Sequence, residues 1–171
     1  GDSVDVWTNP SQFYLDENLE LIDVAGCPPD AFSADGQLWG NPLFRWDVMR
    51  EDGYSWWTMR LRKMSTLYDV IRIDHFRGFD SYYAIPGKDT TARNGVWRNG
   101  PGMELFRAVE EKLGKLDIIV EDLGFLTPSV LQLVADSGYP GMKVVQFAFD
   151  SRDDSDYMPH NYDKKEREMI I

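Results

Sequence analysis

Three short runs rich in aliphatic and β-branched residues, 69–74 (DVIRID), 117–121 (DIIVE) and 143–149 (KVVQFAF), are separated by stretches long enough for one helix each. That spacing is the tightest constraint on the fold. Parallel strands need a crossover of a dozen or more residues, and a helix normally supplies it. The stretch after Pro101 lines Leu105, Val109 and Leu113 on one face and reaches Gly114, a residue suited to the position just past a helix end. The next stretch opens with Thr127-Pro128, an N-cap followed by proline at the first helical position, and closes at Gly138. Before the first run, Trp57, Leu61, Met64 and Tyr68 fall on one helical face. The order helix, strand, helix, strand, helix, strand predicts an α/β fold of two βαβ units sharing the middle strand. A doubly wound sheet and part of a (β/α)8 barrel both satisfy it, and both place functional residues at the C-terminal ends of strands.

The rest of the chain gives a weaker pattern. Residues 1–50 carry Pro10, Pro28, Pro29 and Pro42 and no sustained helical period, so they read as a long irregular segment with short helical turns. Its aromatics, from Trp7 to Trp46, argue that it is ordered and functional. Residues 75–100 read as loop, and the acidic stretch Asp150–Asp156 and the segment Lys164–Glu168 read as solvated. The 171 residues hold 29 acidic and 18 basic side chains, a net charge of −11, which argues against nucleic acid and anionic membrane as partners. Cys27 is the only cysteine, so an intrachain disulfide and a multi-cysteine zinc site are excluded, and a reducing, cytoplasmic setting is expected. The two histidines, His75 and His160, leave little for a histidine-based metal site; His160, in a Pro-His-Asn-Tyr stretch, reads equally well as a turn residue.

The first two runs each end in a carboxylate, Asp74 and Glu121. Alternation puts Arg72 on the same side as Asp74, where a guanidinium favours an ionised carboxylate suited to a nucleophile or an electrostatic stabiliser. Glu121 follows three aliphatic residues, a setting that suits a general acid. Neighbouring strands lie about 4.8 Å apart, and retaining glycosidases hold their carboxylates about 5–5.5 Å apart. A structural role for the pair, as caps or ion-pair partners, fits the pattern equally well. A magnesium or calcium site from Asp74, Glu121 and Asp122 is a third reading.

Five segments in order, GQLWGNPLF (36–44), GYSWW (53–57), IRIDHFRGF (71–79), IIVEDLG (118–124) and PGMKVVQFAFD (140–150), resemble the amylomaltase family, the 4-alpha-glucanotransferases of the alpha-amylase clan. The resemblance runs from Asp2 to Tyr162. It implies a (β/α)8 barrel, α-1,4-glucans such as maltooligosaccharides as partners, and no metal or organic cofactor. It implies Asp74 as nucleophile, Glu121 as acid/base, Arg72 and His75 as donor-site contacts, and Gln37 and Trp39 on a loop arching over the acceptor. Phe32, Phe147 and Tyr54 match family positions along the glucan path. Trp39 on its own reads either as a half-exposed sugar platform or as an anchor buried beneath its loop.

The family pattern continues past Pro159-His160-Asn161-Tyr162 to a His-Asp-Asn motif bearing a third carboxylate, whereas this sequence runs on through Asp163 to Ile171. The resemblance therefore implies an internal piece of a barrel, about strands four to six with the loop before them, since such barrels need roughly 250 residues. Its parts would be a substrate-covering region at 1–50, βα units at 51–150 and an acidic tail at 151–171. Unpaired strand edges would favour self-association of such a piece, and no transfer activity is expected from it alone. An α-glucan hydrolase of the same clan and a non-catalytic truncated remnant are the alternative functions.

Overall fold

Isoleucine and valine at 71, 73, 118 and 120 are β-branched and stiff, and at alternate positions they suit two strands buried on the face those positions share. The computed structural model describes residues 3–31, 33–124, 126–149, 158 and 168–170. In chain order its elements are helix α1 (Val4–Thr8), a 3-10 turn (Pro10–Gln12), strands β1 (Asp23–Cys27) and β2 (Gln37–Pro42), and helices α2 (Trp46–Glu51) and α3 (Ser55–Ser65). Strand β3 (Ile71–Ile73), a 3-10 turn (Phe76–Phe79), β4 (Ser81–Pro86), β5 (Val96–Asn99), helix α4 (Met103–Leu113) and β6 (Ile118–Val120) follow. Helix α5 (Pro128–Ser137), β7 (Gly141–Lys143), a 3-10 turn (Val145–Phe149) and β8 (Glu168–Ile170) complete the series. The chain divides into two compact units, Gly1–Trp56 with Gly78–Leu105, and Trp57–Arg77 with Phe106–Ile171.

The second unit holds the alternation of helix and strand that the sequence predicts, but its strands form two two-stranded sheets, β3-β6 and β7-β8, so the middle strand is not shared by two βαβ units. β3 and β6 pair in parallel, Ile71 opposite Ile118, Arg72 opposite Ile119 and Ile73 opposite Val120. Ile71, Ile73, Ile118 and Val120 are buried, each contributing about 1.5–3 kcal/mol when fully removed from water. Phe76, Phe106 and Tyr139 pack together, with ring centroids 5.2, 5.7 and 6.3 Å apart. Helix α5 begins where its caps place it. The Thr127 hydroxyl accepts from Val130 N–H, and Gly138 closes the helix in the left-handed region at φ 64°, a conformation that costs other residues. In α3, Leu61 is buried on the expected face, whereas Tyr68 lies past the helix end and is exposed.

The third predicted strand is displaced. Residues 141–143 form β7, and Val145–Phe149 turn as a 3-10 helix. Val120 N–H donates to the Pro140 carbonyl at 2.9 Å and Met142 N–H donates to Asp122 Oδ1 at 2.8 Å, so the stretch beside β6 is used before the apolar run starts. β7 pairs in parallel with β8, and the Val144 carbonyl then accepts from Phe147 N–H at 3.0 Å, which closes the turn.

The first unit contains a four-stranded antiparallel sheet in the order β2-β1-β4-β5, where the sequence reads as irregular segment and loop. β4 is one of its two inner strands. Tyr83 and Ile85 pack with Val24 and Ala92, while Tyr82 and Ala84 pack with Leu43. With both faces covered, β4 shows no alternation. The edge strand β2 is largely exposed along its length, so its residues read as a polar loop. Phe13, Phe44, Trp46, Trp56 and Phe79 form an aromatic cluster with neighbouring centroids 5.1–6.0 Å apart. Asp23 and Arg98 pair at 2.7 Å, and burial first, then the neighbouring Tyr14, pushes the Tyr82 phenol up to about 12.

Candidate active site

The parallel pairing of β3 with β6 fixes where the two carboxylates go. Ile71 N–H donates to the Asp117 carbonyl, and Glu121 N–H donates to the Ile73 carbonyl at 2.8 Å. Asp74 and Glu121 each stand one residue past the Ile73–Val120 pair. They therefore lie side by side at the C-terminal ends of adjacent parallel strands, as the sequence predicts.

Arg72 sits between two buried isoleucines and turns its side chain to the open face. Its Nη2 reaches Asp74 Oδ1 at 2.5 Å. The Asp74 side chain is 73% exposed, so this carboxylate is open to an incoming molecule. Arg72 Nε donates to Met142 Sδ at 3.2 Å. Met142 is a neighbour that the sequence reading overlooks, because an apolar residue in β7 carries no signal of contact with an arginine in β3.

The Glu121 carboxylate is held at both oxygens. His75 N–H donates to Oε2 and Leu123 N–H donates to Oε1, each at 2.8 Å. The Glu121 carbonyl in turn accepts from Phe76 N–H at 2.9 Å. His75 adopts φ 50°, which aims its amide back at Glu121. Burial holds the His75 imidazole below its ordinary value; the Glu121 and Asp74 charges oppose that shift and Arg77 reinforces it. Arg72, Asp74, His75 and Glu121 thus form one group within the second unit. Among the described residues no group of three or more His, Cys, Asp or Glu is arranged to hold a metal ion.

Phe147, also in the second unit, is 49% exposed on the 3-10 turn rather than on a strand. In the first unit, Gln37 and Trp39 lie on β2, an edge strand and not a loop. Trp39 Nε1–H donates to Gln37 Oε1 at 3.0 Å, and the indole is 41% exposed, which excludes the buried-anchor reading. Tyr54 departs from the expected glucan contact. It is 2% exposed, and its phenol is pushed up by burial and by the Glu104 carboxylate, whose partner Arg50 opposes the effect. A ring enclosed in this way supports the packing around the Arg50–Glu104 pair and offers no face to a sugar. Phe32, His160 and the acidic stretch Asp150–Asp156 lie outside the described residues.

A family model described as 4-alpha-glucanotransferase matches residues 1–169. The 4-alpha-glucanotransferase of Streptococcus pneumoniae serotype 4 is 54% identical over 159 residues, which cover 93% of this chain and 32% of that protein. The Thermus thermophilus 4-alpha-glucanotransferase is 47% identical over 169 residues, 99% of this chain and 34% of that protein. Among solved structures, the amylomaltase of Streptococcus agalactiae in complex with acarbose matches with a TM-score of 0.90 at 47% identity, covering 95% of this chain and 33% of that one. This chain spans about a third of the length of the curated relatives it matches.

Proposed function

The chain belongs to the 4-alpha-glucanotransferase family, and from that premise we propose that it carries the two catalytic carboxylates of a retaining transferase acting on α-1,4-glucans. The observation that carries this reading is the placement of Asp74 and Glu121 at the ends of adjacent parallel strands, with Arg72 against Asp74. Adjacent strands stand about 4.8 Å apart, close to the carboxylate spacing of about 5–5.5 Å that retaining chemistry needs.

In this reading Asp74 attacks the anomeric carbon of a maltooligosaccharide while Glu121 protonates the departing glycosidic oxygen. The bond from anomeric carbon to oxygen breaks, and a glucosyl ester forms on Asp74. Glu121, now a base, takes the proton from the 4-hydroxyl of a second glucan, which attacks the ester and restores an α-1,4 bond. Both Glu121 oxygens accept backbone N–H bonds, and a protonated oxygen keeps acceptor capacity, so these bonds orient the carboxyl while it donates its proton. Arg72 steadies the Asp74 carboxylate, Arg72 and His75 contact the sugar on the donor side, and Phe147 lies along the glucan path. Gln37, Trp39 and Phe32 contact the glucan on the acceptor side, where an aromatic face favours sugar over water as acceptor. No step calls on a metal or an organic cofactor.

β3, β6 and β7 are assigned to a (β/α)8 barrel, about its fourth to sixth strands, within one catalytic domain whose residues 1–50 cover the substrate. Residues 51–150 then supply the βα units, and 151–171 an acidic tail. A cytoplasmic location suits such an enzyme; among the described residues no helix is long and apolar enough to cross a membrane. Transfer is expected from the complete polypeptide and not from these residues alone, which would tend to self-associate through their open strand edges. The test is incubation of the complete polypeptide and of the isolated chain with maltotriose, followed by chromatography. Glucose together with maltopentaose establishes transfer. Reducing sugar without longer products establishes a hydrolase, and no product from the complete polypeptide establishes a non-catalytic chain.

A further inference from the structure

We infer that Asp122, Gly141 and Met142 form a support that sets the direction of the Arg72 guanidinium toward Asp74, and that Asp122 and Met142 are therefore positioning residues for the reaction. The inference rests on the reading of Asp74 as the nucleophile.

The support is a continuous chain of contacts within the second unit. Asp122 follows Glu121 at the end of β6, and its Oδ1 accepts from Met142 N–H at 2.8 Å. This bond joins the segment after β6 to β7 and fixes the position of the Met142 backbone beside Asp122. Met142 is only 4% exposed, so its thioether has little room to move. Its Sδ accepts from Arg72 Nε at 3.2 Å. With Nε committed to the sulfur, the planar guanidinium presents Nη2 to Asp74 Oδ1. A thioether is a weak acceptor, so its contribution is direction more than strength. The Arg72 side chain is 45% exposed, and without a second tether it would be free to sample other rotamers in solvent.

Gly141 is part of the same device. A Cβ at this position would fall on the Asp122 carboxylate group. The absent side chain is what lets Asp122 lie flat against the strand and reach the next amide. One residue type is thus required by close approach, a second by its acceptor and a third by its buried sulfur. None of the three touches the reacting atoms.

The experiment measures kcat and KM for maltotriose disproportionation by the complete enzyme, together with the thermal midpoint of each variant. Met142→Leu keeps the volume and removes the acceptor. Asp122→Ala removes the bond to Met142 N–H, and Gly141→Ala displaces the carboxylate. Small misplacements of a reacting group cost up to about 10²-fold, so each variant should lose on the order of tenfold in kcat. KM should change by less than about twofold, since the loss falls on the transition state and not on substrate binding. Asp122→Asn retains an oxygen acceptor and should restore most of the kcat lost in Asp122→Ala. A purely structural role would lower the thermal midpoint and leave kcat of the folded enzyme unchanged. If Asp122→Ala or Gly141→Ala fails to fold, Met142→Leu decides. Unchanged kcat in folded Met142→Leu, with Asp74→Asn inactive, overturns this inference and leaves the functional assignment standing. An unsubstituted complete enzyme that does not disproportionate maltotriose overturns both.

Discussion

His75 N–H donates to Glu121 Oε2 at 2.8 Å, across the gap between the turn after β3 and the end of β6. The residue that follows one candidate carboxylate in sequence thereby holds the other in space. The bond depends on the left-handed backbone of His75, at φ 50°. A non-glycine residue takes that conformation at a cost, and such strain persists where the surroundings over-determine it. Here those surroundings are the amide bonds to the Glu121 carboxylate and carbonyl.

The backbone at position 75 gives a first prediction. Asn tolerates the left-handed region, whereas a β-branched residue does not. His75→Val should therefore be less stable than His75→Asn by about 1–2 kcal/mol. Urea midpoints of the two variants check the difference, and equal midpoints would mean that the turn is not under the constraint described.

A second prediction concerns the His75 side chain. Its ordinary value is 6.5, and burial moves it down in the folded state. The unfolded chain then binds a proton that the folded chain refuses. The stability this supplies is fully present above pH 6.5 and is lost as pH falls from there through the folded value. Proton NMR titration of the imidazole, with His160→Gln to leave a single histidine signal, should show a midpoint below 6.5. A midpoint at or above that value would mean that the Asp74 and Glu121 charges outweigh burial.

Tyr82 predicts the opposite limb. Its phenol moves from 10.0 to about 12 on folding, through burial first and Tyr14 second. The folded state keeps a proton that the unfolded chain releases. Stability from this group is complete below pH 10 and falls as pH rises from there to about 12. Tyr82→Phe should flatten that limb in a series of denaturation midpoints, and an unchanged limb would assign the loss to other groups.

Much of this was legible in the sequence where the signal is local. Thr127, Pro128 and Gly138 bracket α5 because caps depend on immediate neighbours. β3, β6 and the carboxylates that end them could be read because β-branched runs of this kind have few alternatives. The antiparallel sheet could not. β4 pairs with β1, joining Asp23 to Pro86 and Gly26 to Tyr83, and no local period encodes a partner that distant. The sequence points to 143–149 and not to β7 because that apolar run is more conspicuous than Gly141-Met142, which become strand by pairing with the distant segment Glu168–Ile170. The motif gives the identity of Tyr54 and not its depth, because the enclosure of its ring depends on packing that no local pattern encodes.

The α5 caps carry a stability prediction of their own. Thr127→Ala removes the acceptor for Val130 N–H and should cost about 1 kcal/mol. Gly138→Ala places a Cβ in a left-handed position and should cost roughly 1–2 kcal/mol. The two sit at opposite ends of one helix without a shared partner, so the double variant should be additive to within about 0.5 kcal/mol. Strong non-additivity in denaturation midpoints would show that the helix frays as a whole.

The roles proposed for the two carboxylates separate when the leaving group is changed. A glucosyl donor such as α-maltotriosyl fluoride expels fluoride and needs no proton, whereas maltotriose expels a sugar alkoxide that does. In the complete enzyme, Glu121→Gln should lose about 10²–10⁴-fold in rate with maltotriose, the usual contribution of a general acid. It should still react with the fluoride in the first step. Because Gln cannot deprotonate the acceptor hydroxyl, the glucosyl ester should accumulate. Peptide mass analysis should then find a maltotriosyl addition on the segment containing Asp74. Asp74→Asn should give no adduct with either donor, because a neutral amide lacks the nucleophilic carboxylate that forms the ester. An adduct on a different carboxylate would reassign the nucleophile. Equal loss with both donors in Glu121→Gln would remove Glu121 from the acid role, leaving it the structural one that its two backbone bonds already support.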